Sequence, residues 1–285
     1  MSAAVSRETK AVIGTRRLKE AMAPLPTTRI ITVANQKGGV GKTTTAVNIG
    51  AALAMGGLKV LLIDLDPQGN ASTAFNVAHE EGIPGSYEVL VAGATLTSVK
   101  QRAEGYPHLD VVPAGVDLAG AEIDLVELER REFKLRDAIT LLNKEERYDY
   151  IVIDCPPSLG LLTLNALIAA HELLIPIQCE YYALEGLTQL IKIISLVTEN
   201  TNPQLHIGAI LLTMFDGRTR LAHDVANTVR THFPKEVLTT VIPRAVRVSE
   251  APSYGQSVMT YDMSSPGALA YLAAARELHE KGRAQ

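Results

Sequence analysis

The chain of 285 residues has no tryptophan, two cysteines and an aromatic content of only 5%. Two cysteines are too few for a disulfide-stapled scaffold. No signal-type apolar segment follows the charged stretch Met1 to Lys10, so a reducing, cytoplasmic setting is expected. No apolar run reaches the roughly 18 to 20 residues a membrane span needs, since Leu159 to Ala170 is interrupted by Thr163 and Asn165. Nor is there a collagen-like period, a repeat or a long low-complexity tract. What is present is a 47% hydrophobic, 20% charged chain. That is enough to bury a core, and it excludes disorder of the whole chain. The net charge of −4 hides an uneven distribution: Met214 to Glu250 holds six Lys or Arg against four acids.

Residues 1–28 lack a sustained apolar period, carry five basic against two acidic residues and end in Pro24 and Pro26. They read as a flexible basic extension, either a solvated tail or, around Arg16, Arg17 and Lys19, a docking segment. From Arg29 onward, short Val-, Ile- and Leu-rich runs alternate with helical patterns. Strands are predicted at 30–34, 60–64, 109–112, 150–154, 173–177, 207–212 and 239–242. Helices are predicted at 43–55, 133–143, 161–171, 184–197, 221–232 and 266–280. This alternation implies a doubly wound α/β domain over 29–285, with a mostly parallel sheet covered by helices on both faces. Ligands of such sheets bind beyond the carboxyl ends of the strands.

The first strand runs into Asn35-Gln36-Lys37-Gly38-Gly39-Val40-Gly41-Lys42-Thr43-Thr44 and then into a helix. Glycines let the loop amides face a phosphate, the helix start adds partial positive charge, Lys42 reaches the β and γ phosphates, and Thr43 offers a hydroxyl to Mg²⁺. This is the P-loop pattern, except that Gln36 replaces the first glycine and a second lysine, Lys37, follows. The second strand ends in Asp64-Leu65-Asp66-Pro67-Gln68. Its two carboxylates either converge on a cation or a water, or form a solvated turn. The strand 150–154 closes on Asp154, followed by Cys155-Pro156-Pro157. Asp154 is either a Mg²⁺-supporting strand end or the N-cap of the next helix.

The stretch Lys37 to Thr44 resembles the deviant Walker A motif of the ParA/MinD family of P-loop ATPases, and Asp64 to Gln68 resembles that family's second signature. The resemblance spans nearly all of residues 29 to 282. It implies ATP and Mg²⁺ as cofactors, with Lys37, Gly38, Gly39, Val40, Gly41, Lys42, Thr43 and Thr44 around the phosphates. Lys37 would reach the partner's ATP in a nucleotide-sandwiched homodimer, Asp66 would orient the attacking water, and Thr43, Asp64 and Asp154 would support Mg²⁺. The segments Leu211 to Arg220 and Val241 to Pro252 resemble those of chromosomal ParA-type partition ATPases. By that likeness Met214, Pro243 and Arg244 border the adenine. Arg218, Arg220, Arg244 and Arg247 would contact nonspecific double-stranded DNA on the nucleoid, with a ParB-type partner accelerating a slow hydrolysis. On the residues alone, these arginines are either salt-bridge partners of Asp216, Asp224 and Glu250 or phosphate binders, each phosphate contact steepening salt dependence by about 0.9 log unit.

Three rival readings compete with this one. A MinD-like membrane-recruited ATPase is disfavoured by the alanine-rich stretch Ala268 to Leu278, which reads as a helix packed on the sheet and not as a lipid-binding one. An amide-forming P-loop ligase leaves Lys37 unexplained. A DNA-free scaffold predicts no difference between ATP and ADP states. Cys155 and Cys179 flank apolar strands and read as small buried hydrophobes, not as ligands of a subunit-bridging iron–sulfur cluster like that of the related nitrogenase iron protein.

Overall fold

The computed structural model describes residues 20–180 and 183–283. Eight strands form one sheet: β1 Arg29–Val33, β2 Val60–Asp64, β3 Gln101–Arg102, β4 Leu109–Val112, β5 Tyr150–Asp154, β6 Glu172–Gln178, β7 His206–Phe215 and β8 Val237–Pro243. Their spatial order is β3-β4-β2-β5-β1-β6-β7-β8, with every neighbouring pair parallel except β3 against β4. Six longer helices connect them: α1 Lys42–Met55, α2 Lys134–Glu145, α3 Leu161–Ala169, α4 Ala183–Asn200, α5 Arg220–His232 and α6 Pro266–Arg283. All the predicted strands and helices form, with ends shifted by up to three residues. The missed strand, β3, is two polar residues at the sheet edge, too short to carry an alternation.

β1, β2, β4 and β5 are buried along their whole length, and alternate residues feed two separate cores. Ile31, Val33 and Leu62 pack with α1 and α6 on one face; Ile30, Leu61 and Ile63 pack with α2, α3, α4 and α5 on the other. Burial on both faces is why these strands read as unbroken apolar runs. Ala268, Tyr271, Leu272, Ala275 and Leu278 bury one side of α6, as the alanine pattern implies. Among the described residues, no helix is long and apolar enough to cross a membrane.

The packed domain starts earlier than residue 29. Met22 and Leu25 are buried, the Met22 N–H donates to the Gly56 carbonyl at 2.8 Å and the Leu25 N–H to Asp149 Oδ1 at 3.1 Å. Two isolated apolar anchors leave no periodic signal, which is why the sequence pattern placed them in an extension. Arg16, Arg17 and Lys19 lie outside the described residues.

At the amino ends of the central strands, Arg29 is buried and forks onto Glu172, with Nε and Nη2 each 2.6 Å from a carboxylate oxygen. Its Nη1 donates to the Tyr150 hydroxyl at 2.8 Å and to the Leu278 carbonyl at 2.9 Å, tying β1, β5, β6 and α6 together. Removing one partner leaves a buried charge uncompensated, so Glu172→Gln should destabilise the protein by about 3 to 5 kcal/mol. Urea unfolding checks this; a loss below about 1 kcal/mol, the scale of an exposed pair, would contradict it.

Candidate functional site

The parallel register sets the site. Val33 pairs with Asp154 and Asp154 with Asp64, so the carboxyl ends of β1, β5 and β2 lie side by side beneath the glycine loop. β1 sits between β5 and β6; β2 to β5 lie on one side of it and, after β5, the chain crosses to β6 on the other, the arrangement that opens a crevice at the strand ends. The loop from Ala34 to Gly41 crosses this edge. Gly39 and Gly41 have φ of 73° and 85°, left-handed values that side chains disfavour. Gly41 is the N-cap of α1; it provides no side-chain cap, and no acid occupies the first turn, so the helix N–H groups there have no competing carboxylate. Two residues without a sequence signature brace the loop. Asn35 donates to the Pro176 carbonyl at 2.8 Å and accepts from the Lys37 N–H at 3.1 Å, while the Thr213 hydroxyl donates to the Val40 carbonyl at 2.9 Å.

Lys42 is 7% exposed, and its ammonium approaches the Lys37 carbonyl at 3.4 Å. Burial lowers its pKa, and the charges of Asp154 and Asp66 oppose that shift. Asp64 and Asp154 are 0% exposed and Asp66 8%. These values rule out a solvated turn at 64–66. Helix α3 begins at Leu161 with Gly160 as its N-cap, so Asp154 is no cap either. Burial pushes the Asp64 carboxyl up to about 6, against hydrogen bonds from Ser72 and Asp66 that favour its ionised form. Asp154 is also raised, first by burial and then by the Asp64 charge. Among the described residues, its two carboxylate oxygens have no hydrogen-bond partner of good geometry, although the nearby Thr43 hydroxyl favours the ionised form. A buried, orphaned carboxylate beside a threonine hydroxyl and a second aspartate fits a divalent cation, because a hard cation supplies the charge that water and protein here do not.

Lys37 does not face the Lys42 cluster. Its ammonium pairs with Glu180 at 3.1 Å, and Gln178 donates to the other Glu180 oxygen at 2.5 Å. A narrow cleft of about 80 Å³ brings together Gly41, Thr44, Met214, Pro243, Arg244 and Tyr271. Met214 holds a left-handed φ of 49°, and its Cε lies 3.9 Å from where a Cβ on Gly41 would be. The three residues assigned to the base thus line one wall of the phosphate loop. A cavity of about 490 Å³ between Ile30, Arg136, His171 and Gln204 contains none of these residues.

The four candidate DNA-contacting arginines follow neighbouring strands, Phe215 of β7 pairing with Pro243 of β8. Arg218 grips Asp216 through Nε at 2.8 Å and Nη2 at 2.7 Å, holding that carboxyl well below its ordinary range. Arg220 lies 3.7 Å from Asp224, and Arg247 lies 3.0 Å from Glu250 and 3.7 Å from Asp262. The ion-paired alternative is therefore realised for three of them. Such exposed pairs contribute little net stability and exchange readily for other anions. Cys155 and Cys179 are both buried and free.

A family model described as an AAA domain matches residues 28–207. A chromosome partitioning protein ParA of Myxococcus xanthus is 51% identical over 253 residues, covering 89% of this chain and 88% of its own. The sporulation initiation inhibitor protein Soj of Bacillus subtilis is 49% identical over 254 residues, covering 89% and 99%. A crystal structure described as cobyrinic acid a,c-diamide synthase from Mycobacterium smegmatis with bound ADP and magnesium superposes with a TM-score of 0.75 at 39% identity, covering 88% of this chain and 93% of that one. Sheet order, glycine loop and strand-end carboxylates together define a P-loop nucleotide-binding protein. Within that class, the chain belongs to the ParA family of chromosome-partitioning ATPases.

The orphaned Asp154 carboxylate generates a direct prediction. Relative to an unfolded carboxyl near 3.8, a folded value of about 6 at Asp64 and the rise at Asp154 mean that the folded state holds the extra protons. Their contribution to stability is complete below about pH 4 and is lost as pH rises through about 6 and beyond. In nucleotide- and metal-free protein, Asp154→Asn should therefore gain stability relative to wild type as pH rises from about 4 to about 8, by at least about 1 kcal/mol. Urea unfolding at both pH values measures this; an Asn variant that gains nothing relative to wild type between them would contradict it.

Proposed function

We propose that this protein is a Mg²⁺-dependent ATPase that works as a DNA-partitioning switch. ATP binding joins two chains into a sandwich dimer, the dimer binds nonspecific double-stranded DNA on the nucleoid, and hydrolysis releases it. What carries this reading is the buried, unpartnered Asp154 carboxylate beneath a glycine loop with two lysines, in a chain about half identical to proteins named for chromosome partitioning.

In this scheme Gly38 to Thr44 and the free start of α1 bind the phosphates, and Lys42 sits over them. Burial lowers its pKa from an ordinary value of 10.5, and the Asp154 and Asp66 charges oppose that shift and favour the ammonium form. Asp66 orients the attacking water. Thr43, Asp64 and Asp154 hold Mg²⁺, which when bound neutralises phosphate charge. Lys37 acts across the dimer, exchanging Glu180 for the partner's nucleotide. Met214, Pro243 and Arg244 border the base. Arg218, Arg220, Arg244 and Arg247 meet the DNA backbone without reading bases, and doubling the set in a dimer raises affinity steeply. A ParB-type centromere-binding protein accelerates an intrinsically slow hydrolysis, and the basic extension around Arg16, Arg17 and Lys19 is a candidate docking segment for it. The proposed domain, read from Arg29 in the sequence, also takes in the core anchors Met22 and Leu25.

The amide-synthase name of the Mycobacterium smegmatis structure favours one other reading, activation of a small carboxylate. It assigns no role to Lys37 or to the arginines after β7 and β8, and product formation in a metabolite screen would favour it.

The test is binding of Asp66→Ala protein to random-sequence duplex with ATP, ADP or no nucleotide over a salt series. Binding is expected only with ATP, with a slope of about −0.9 log unit per phosphate contact. Equal binding in all three states, or none with nucleotide bound, would overturn the proposal.

A further inference from the structure

The segment that carries Asp66 is tied back to the strand it leaves. Asp64 Oδ1 accepts from the Asp66 N–H at 3.1 Å. Asp64 Oδ2 accepts twice from Ser72, from its N–H at 2.9 Å and its hydroxyl at 2.7 Å. Both ends of the 66–72 stretch thus bond to one buried side chain and close a loop around it. Ser72 lies in the one-turn helix Asn70–Ala74 and is fully buried, so water cannot replace these bonds.

The hydroxyl also has a second partner. The Ala114 N–H, just past β4, donates to Ser72 Oγ at 3.0 Å. A hydroxyl has one proton, and accepting from Ala114 leaves that proton directed at Asp64. The turn between the two ends lies against the same residue: the Gly69 N–H donates to the Asp66 carbonyl at 2.9 Å, and a Cβ on Gly69 would fall 2.7 Å from the Ala114 oxygen. Three segments, the ends of β2 and β4 and the Asp66 turn, therefore meet at one hydroxyl group.

We infer that Ser72 is a positioning residue for Asp66: its hydroxyl, oriented by Ala114, fixes the 66–72 segment on the Asp64 side chain and so sets where the Asp66 carboxylate stands relative to Lys42 and the phosphate loop. The inference rests on the proposed role of Asp66 in orienting water. It predicts that the hydroxyl group, and not the volume of the side chain, controls turnover. Ser72→Ala keeps the backbone bond to Asp64 but loses the hydroxyl and strands the Ala114 N–H. Ser72→Thr keeps the hydroxyl.

Steady-state ATP hydrolysis and ADP affinity are measured for wild type, Ser72→Ala, Ser72→Thr and Asp66→Ala. Ser72→Ala is expected to lower kcat by about 10- to 100-fold while KM and ADP affinity stay within about threefold, with Thr restoring most of the rate. Wild-type kcat in Ser72→Ala, or an equal loss in Ala and Thr, overturns the inference. If Ser72→Ala does not fold, Ser72→Cys, whose thiol is a weak donor, takes its place with the same two outcomes. An Asp66→Ala protein that hydrolyses ATP at the wild-type rate overturns the role of Asp66 itself, whatever Ser72 does, and so separates the two failures.

Discussion

Three carboxylates and one ammonium share a nearly dry space at the ends of β1, β2 and β5, and their charges do not balance. In a low-dielectric setting an unpaired charge is expensive, so such a cluster either takes up protons or takes up a cation. The raised pKa values of Asp64 and Asp154 are the first response, and the orphaned oxygens of Asp154 leave room for the second. The two positive charges of a Mg²⁺ ion would balance the set. The rest of the site follows from that imbalance: the glycine loop keeps its amides free for anions, and Ser72 holds Asp64 from behind.

The fold positions this cluster from a distance. Parallel register aligns Asp64 with Asp154, and the Arg29–Glu172 fork fixes the opposite ends of β1 and β6, so strand slippage would cost both a buried ion pair and the site. The same parallelism carries β7 and β8 to the nucleotide edge. There Met214 and Arg244 meet Gly41 of the phosphate loop in one cleft, while Arg218 and Arg247 follow the same two strands with exposed side chains, where the proposed DNA contacts would form.

Much of this was legible in the sequence, for identifiable reasons. Doubly covered strands announce themselves as apolar runs, and the phosphate loop as glycines between a strand and a helix. Asp64, Asp66 and Asp154 were readable because each closes or follows a strand. Asn35, Ser72, Thr213 and Glu180 were not, because their importance lies in partners 2 to 173 positions away that only the folded chain supplies. The ion pairs of Arg218, Arg220 and Arg247 were left open by residue type alone and are set by neighbouring acids. Met22 and Leu25 escaped notice because two anchors make no period, and β3 because two polar residues make no alternation.

The proposed role of Lys37 across a dimer requires its ammonium to leave Glu180, with which it pairs. The mass in solution of the Asp66→Ala protein and of the Lys37→Ala/Asp66→Ala protein, measured by light scattering with ATP and with ADP, tests it directly. Asp66→Ala is predicted to be dimeric with ATP and monomeric with ADP, and the double variant to bind ADP normally yet stay monomeric with ATP. A double variant that dimerises with ATP as readily as Asp66→Ala would contradict the assignment of Lys37 to the partner's nucleotide.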